Sequence, residues 1–275
     1  MTGDDHTLAR DLAGQAGTRL LELRAQGGDP DVLRKAGDRL SHEFLTAALA
    51  DARPGDVVLS EEGADNPARL TARRVWIVDP LDGTREFGEP GRTDWAVHVA
   101  LWESDALLAP GGTTLPALPP AAAGPSPRGN LVAGAVALPA QDRVLSTAEP
   151  PPPLPAGEAP AKIRIVVSRS RPPQFVRNIS GFIEAELVPL GSAGAKVAAV
   201  INGEVDAYVH GGGFYEWDTA APVAVARAAG LHASRIDGSD LAYNQADLLM
   251  PDILVCRPAI AGVLLQAIRE VTHAP

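Results

Sequence analysis

Cysteine is nearly absent from this chain. Cys256 is the only one in 275 residues, which excludes an intrachain disulfide and any zinc site built on several thiolates. Histidine is scarce as well. The six His residues are scattered with no pair at ligand spacing, so a transition-metal enzyme is not expected. No unbroken apolar run is long enough to span a bilayer, and Met1-Thr2-Gly3-Asp4-Asp5 is acidic where a secretion signal is basic and then apolar. A soluble, cytoplasmic protein is the expectation. A net charge of −10 leaves no basis for broad binding to a nucleic acid polymer or an anionic membrane, both of which rely on clustered Lys and Arg. Any metal chemistry must therefore run through carboxylates, with a small polyanion admissible as substrate where a metal neutralises it.

What the chain does contain is a dense acidic turn, Asp79-Pro80-Leu81-Asp82-Gly83-Thr84, directly after the strand-like run Val75-Trp76-Ile77-Val78. Pro80 has no amide donor and keeps Asp79 out of helical geometry, so the strand is expected to end there. Gly83 permits a backbone closed to other residues, and Thr84 is placed to cap whatever follows. Such a turn can aim Asp79, Asp82 and the Leu81 carbonyl at one point, and hard oxygen ligands of short reach suit Mg²⁺. The Gly83 and Thr84 amides can face a phosphate oxygen. Asp-Pro and Asp-Gly are also ordinary turn chemistry, so the hexapeptide does not decide the matter by itself.

The surrounding pattern places it. At this length the chain can bury a large core in one or two domains. Apolar spacing predicts helices over Thr7 to Ala25 and Asp38 to Leu49, with Gly27-Gly28-Asp29-Pro30-Asp31 as a loop between them. Strands are expected at Val57 to Leu59, Val75 to Val78, Trp95 to Leu101 and Leu131 to Leu138. Two stretches, Pro110 to Pro127 and Pro150 to Pro160, read as loops or disordered segments. Beyond them strand and helix alternate: Ile163 to Val167, then Gln174 to Phe182 and Ala195 to Ile201 as helices, Val205 to Val209, the helix Thr219 to Ala229, Ile253 to Cys256, and the helix Ala259 to Val271. The expected organisation is an N-terminal α+β part over 1–155 and a C-terminal α/β part over 156–275, with the site in the cleft between them.

Other carboxylates sit at element ends. Ser60-Glu61-Glu62-Gly63 closes a short strand, and Glu216-Trp217-Asp218-Thr219 precedes an Ala-rich helix with Asp218 at its N-cap or first turn. Asp at a helix start is stabilising by itself, and Glu61 and Glu62 read equally well as solvated loop charges. Together, however, Glu61, Asp79, Asp82 and Asp218 would repel one another in one cleft unless divalent cations held them. That is the composition of a two-metal phosphate ester hydrolase.

These segments, with Gly191-Ser192-Ala193-Gly194-Ala195-Lys196 before the last of them, resemble the inositol monophosphatase superfamily of Mg²⁺-dependent, lithium-sensitive phosphatases over about residues 7 to 256. Asp82-Gly83-Thr84-Arg85-Glu86-Phe87, Trp217-Asp218-Thr219-Ala220-Ala221-Pro222 and Asp237-Gly238-Ser239 with Leu241-Ala242-Tyr243 are most similar to its CysQ-type branch, the 3′(2′),5′-bisphosphate nucleotidases. The resemblance implies a layered αβαβα sandwich of α+β and α/β parts. It also implies hydrolysis of the 3′-phosphate of 3′-phosphoadenosine 5′-phosphate, a by-product of sulfate assimilation. Inositol monophosphatase and fructose 1,6-bisphosphatase are the alternative activities, and a nucleotide or metal sensor is the non-enzymatic one.

Carried over residue by residue, Glu61, Asp79 and the Leu81 carbonyl would hold a first Mg²⁺, and Asp79, Asp82 and Asp218 a second. Thr84, paired with Asp38 at the start of the second helix, would orient and deprotonate the attacking water, while Gly83 and Thr84 amides hold phosphate. The chain departs from the common pattern between its first two helices, where Gly27 to Gly37 replaces a Lys-Asp and Val-Thr segment. This bears on Asp38 and on a third ion, which Asp29 or Asp31 would serve. Arg85, Arg92, Arg169, Arg171 and Lys196 are candidates for a second phosphate, Ser192 belongs to the same substrate-facing set, and Tyr243 is a candidate to stack on a base. A homodimer is the assembly common among similar proteins.

Overall fold

The computed structural model describes residues 4–105, 128–155, 160–170, 172–179 and 181–272. Pro110 to Pro127 and Arg171 lie outside the described residues, as do the expectations made for them.

Two helices open the chain. Helix α1 spans Asp5–Ala25, capped by Asp4, whose carboxylate accepts from the Thr7 amide at 2.7 Å, and it buries Ala9, Leu12, Ala13, Ala16 and Leu20 along one stripe. Helix α2 runs over Pro30–Ala52, eight residues earlier than the apolar spacing suggested. The reason is local. Asp29 is the N-cap, accepting from the Asp31 and Val32 amides at 2.9 and 3.2 Å, and Pro30 takes the first helical position, where its missing N–H costs nothing. Asp38 therefore lies well inside α2 and not at its start. Gly37, inside this helix, is a close-approach residue: a Cβ there would sit 2.8 Å from Phe87 Cε1 and 2.9 Å from Leu81 Cδ2.

The first sheet has order β1-β2-β3-β4-β5, made of Val57–Ser60, Arg74–Asp82, Ala96–Ser104, Gly129–Leu138 and Arg143–Ser146. β1 pairs parallel with β2 and the others are antiparallel. Helix α3, Thr84–Gly88, follows β2 after the single residue Gly83. The second sheet has order β10-β12-β8-β6-β7, with β6 at Ile163–Ser168, β7 at Ala185–Leu190, β8 at Ala207–His210, β10 at His232–Ser234 and β12 at Ile253–Cys256. A small ribbon pairs β9, Phe214–Tyr215, with β11, Leu249–Met250.

Helices α5, Ala193–Ile201, and α6, Glu216–Ala228, lie between the two sheets. Every residue of α5 is buried, as expected of a helix covered on both faces. Helices α4, Gln174–Ile179, and α7, Pro258–Thr272, cover the outer face of the second sheet through Ile179, Leu254, Ile260 and Leu264. The order is helix, sheet, helix, sheet, helix, as the resemblance implied. Three fully buried tryptophans, Trp76, Trp95 and Trp102, fill the first sheet's two faces. Among the described residues, no helix is long and apolar enough to cross a membrane.

Candidate metal centre

β2 does not stop at Asp79. It continues to Asp82 through a bulge, because Asp79 pairs with His98 and Asp82 with Ala96, so three steps on β2 match two on β3. Pro80 is tolerated there because pairing with β1 ends at Val78, leaving no partner on that side to accept an amide. The bulge re-aims the carboxylates. Asp79 folds back so that Oδ1 accepts from the Leu81 amide at 3.0 Å, and Gly83 then takes φ +83° to enter α3. A side chain at Gly83 would be strained and crowded: a Cβ would lie 3.1 Å from both the Asp94 carbonyl oxygen and Ser192 Cβ.

Asp79, Asp82 and Asp218 each offer an oxygen within 4.8 Å of the others, the one group of potential metal ligands among the described residues. Asp218 is the third residue of α6, and its Oδ2 accepts from the Tyr215 amide at 2.6 Å. Glu61 follows β1 at the exposed rim, within hydrogen-bonding reach of Asp79. Desolvation and the Asp218 charge raise the Glu61 pKa to about 7. Burial raises Asp218 to about 6, with the Asp82 charge adding to it, and burial together with Glu61, Asp82 and Asp218 drives Asp79 well above the carboxylate range. Asp82 differs from its neighbours. Burial pushes it up, but His98, Lys196 and the Ser192 hydroxyl outweigh that and hold it at about 2.

This is a donor set of hard oxygens whose like charges are crowded and partly desolvated. It fits a divalent cation of the Mg²⁺ type. Beside it, Thr84 Oγ1 lies 2.9 Å from the Leu81 carbonyl oxygen and 3.3 Å from Asp38 Oδ1. Desolvation and the nearby Glu62 raise Asp38 to about 6. A cleft of about 200 Å³ opens next to these groups, lined by Gly83, Thr84, Arg85, Arg169, Ser192 and Lys196.

The sequence profile described as "Inositol monophosphatase family" matches residues 9–273. The chain belongs to the inositol monophosphatase family. A 3′-phosphoadenosine 5′-phosphate phosphatase of Mycobacterium leprae is 49% identical over 270 residues, covering 97% of this chain and 94% of that one. The 3′(2′),5′-bisphosphate nucleotidase CysQ of Escherichia coli K12 is 29% identical, with 85% and 91% covered. The crystal structure of inositol monophosphatase II from Staphylococcus aureus superposes with a TM-score of 0.73 at 20% identity, over 97% of this chain and 95% of the other, which bears on the fold alone.

Within this family frame, several substrate-facing expectations change. Tyr243 is buried and donates its hydroxyl to Thr219 Oγ1 at 3.2 Å, so it has no face free for a base. Arg92 is engaged by Asp94, and Arg169 by Glu86 at 2.7 Å and Glu89 at 2.8 Å. Lys196 is enclosed, with Nζ donating to the Gly191 and Ser192 carbonyls at 3.2 and 2.6 Å, and burial lowers its pKa. Arg85 is exposed and has no ion-pair partner among the described residues. Asp29 caps α2, and Asp31 pairs with Arg34 at 2.8 Å.

Ser192, expected in the substrate-facing set, lines the cleft but is held at φ +46°, a costly backbone for a residue with a Cβ, and donates its hydroxyl to Asp82 Oδ2 at 2.5 Å. One residue escaped the sequence reading. His98 is fully buried beneath the cluster, 3.2 Å from Asp82 Oδ2. The signal for His98 was a lone polar residue inside the apolar strand Trp95 to Leu101.

Proposed function

We propose that this chain is a Mg²⁺-dependent phosphomonoesterase that removes the 3′-phosphate of 3′-phosphoadenosine 5′-phosphate to give AMP. The observation that carries the reading is the trio Asp79, Asp82 and Asp218, the first two buried and the third half-buried, with oxygens within 4.8 Å of one another beside a cleft of about 200 Å³. The naming of relatives at 49% identity supports the choice of substrate.

Asp79, Asp82, Asp218, Glu61 and the Leu81 carbonyl are the groups that would hold two ions; bound there, they supply charge neutralisation of the phosphate and acidify a water. The remaining steps belong to the chain's own groups. Thr84 Oγ1 accepts a hydrogen bond from the attacking water and passes its own proton toward Asp38, whose pKa of about 6 suits a proton acceptor near neutrality. The water oxygen bonds to phosphorus, the bond to O3′ breaks, the released O3′ takes up a proton from solvent, and Asp38 returns the proton it received to solvent. The amides of Gly83 and Thr84, at the turn into α3, face the phosphate oxygens. Arg85 is the cation left to meet the second phosphate, because Arg92 and Arg169 are neutralised by carboxylates. A third ion at Asp29 or Asp31 gains no support, since capping and ion pairing account for both.

The test is phosphate release from 3′-phosphoadenosine 5′-phosphate, inositol 1-phosphate and fructose 1,6-bisphosphate, each in Mg²⁺ and in EDTA. The expected result is Mg²⁺-dependent turnover with the bisphosphate nucleotide preferred, abolished in Asp82→Asn while circular dichroism is unchanged. Preference for inositol 1-phosphate overturns the substrate, and binding without turnover on all three favours the sensor.

A further inference from the structure

We propose that His98 is a positioning residue of the metal centre: it fixes the carboxylate of Asp82 and ties the strand bearing Asp79 and Asp82 to the helix bearing Asp218. This rests on the metal reading above.

His98 touches each element of the cluster. It stands opposite Asp79 in the β2–β3 ladder, its Nδ1 lies 3.1 Å from the Trp217 carbonyl, and its Nε2 lies 3.2 Å from Asp82 Oδ2. A carbonyl only accepts, so Nδ1 carries a hydrogen and donates to the residue preceding Asp218. Nδ1 also approaches Asp79 Oδ2 at 4.0 Å.

The consequence for Asp82 is directional. Its Oδ2 already accepts from the Ser192 hydroxyl at 2.5 Å and from the Gly194 amide at 2.6 Å. With the imidazole as a third neighbour, Oδ2 is fully engaged. None of the described residues donates to Oδ1, which is thereby the oxygen presented to a cation. Partners of this kind orient a carboxylate ligand and set its affinity.

A packing role alone explains little of this. Nε2 makes no well-aligned hydrogen bond although it is fully buried 3.2 Å from Asp82 Oδ2, and an apolar residue would be desolvated more cheaply at that place in β3. The neighbouring helix is shaped around the ring as well. A Cβ on Gly194 would lie 2.1 Å from Nε2, so the first turn of α5 reaches Asp82 only because that residue is glycine.

The experiment uses the full chain without substrate and measures Mn²⁺ binding by electron paramagnetic resonance, together with the melting temperature in EDTA, for His98→Leu, His98→Asn and His98→Gln. Gln extends an amide to the Nε2 position, whereas Asn reaches only the position of Nδ1. His98→Leu and His98→Asn are expected to fold and to weaken Mn²⁺ binding about 10–100-fold. His98→Gln should recover most of that loss. Wild-type affinity in His98→Leu overturns the proposal, as does an equal loss in all three variants that tracks a lower melting temperature in EDTA. If His98→Leu fails to fold, the difference between Asn and Gln decides alone. Failure of the metal reading looks different: the wild type would bind no Mn²⁺, or Asp82→Asn would bind it undiminished.

Discussion

Replacing Asp218 with Asn should make the metal-free protein more stable at alkaline pH and remove its response to Mg²⁺. Asn keeps an oxygen to accept from the Tyr215 amide, now 2.6 Å from Asp218 Oδ2, so the start of α6 is preserved while the charge is lost. Burial and the Asp82 charge raise the Asp218 pKa from 3.8 to about 6. An acid whose folded pKa lies above its unfolded value favours the folded state when protonated, and that advantage is lost as pH rises through the folded pKa. Relative to the Asp218→Asn variant, wild type should therefore be comparable near pH 4 and progressively less stable up to about pH 7. A rise from 3.8 to about 6 corresponds to about 3 kcal/mol, which partial solvent access reduces to about 1–3 kcal/mol. Urea titrations at pH 4.5 and pH 8 in EDTA read this directly, and repeating them in Mg²⁺ should stabilise wild type but not Asp218→Asn. A variant less stable than wild type at pH 8 in EDTA, or a difference independent of pH, would refute the repulsion argument.

Two further substitutions test the local geometry. Gly83→Ala forces a Cβ into φ +83° and against the Asp94 carbonyl at 3.1 Å, which should cost about 1–3 kcal/mol by thermal denaturation and depress kcat by shifting Thr84; wild-type activity would mean that the turn can relax. Tyr243→Phe removes one buried hydrogen bond to Thr219, so it should lose about 0.5–1.5 kcal/mol of stability with KM for the nucleotide unchanged, whereas a raised KM would reinstate Tyr243 as a substrate contact.

Residues whose role is local were readable from the chain alone, and those whose role depends on a distant partner were not. The apolar stripe of α1 and the strands flanking Trp76 and Trp102 declare themselves by periodicity. The early start of α2 was hidden because Asp29-Pro30 reads as a loop, although the same two residues make a cap and a first helical position. Nothing local reveals that Phe87 and Leu81 pack against Gly37 and leave no room there for a Cβ. Pro80 looked like a strand end because nothing local reveals that β1 stops pairing at Val78. β5 and β7 went unseen because both are edge strands, with residues such as Arg143 and Glu186 exposed in place of an apolar run. In the site, the Asp79 to Thr84 motif carries its own chemistry. His98 does not, since one histidine in an apolar strand has meaning only once Asp82 and Trp217 are beside it. Arg92 and Arg169 failed in the opposite sense: they looked available for phosphate until the fold brought Asp94, Glu86 and Glu89 to them.

The uneven titration of the cluster follows from how those distant partners are distributed. Helix α5 brings the Ser192 hydroxyl, the Gly194 amide and the Lys196 charge to one side of the cluster, and β3 brings His98 beneath it, so most of the favourable contacts converge on Asp82. Asp79 and Asp218 receive one backbone amide each and face the charge that remains. Asp82 is thus an anion near neutral pH, while burial, with the charges of the neighbouring carboxylates added to it, disfavours the anionic forms of Asp79, Asp218 and Glu61. A cation arriving at the cluster finds one carboxylate already charged and oriented, and displaces protons from the others. Its binding should release protons below about pH 7 and should strengthen as pH rises through that range. The same repulsion that weakens the empty fold is removed when the cation binds, so stability lost at the site returns as metal affinity.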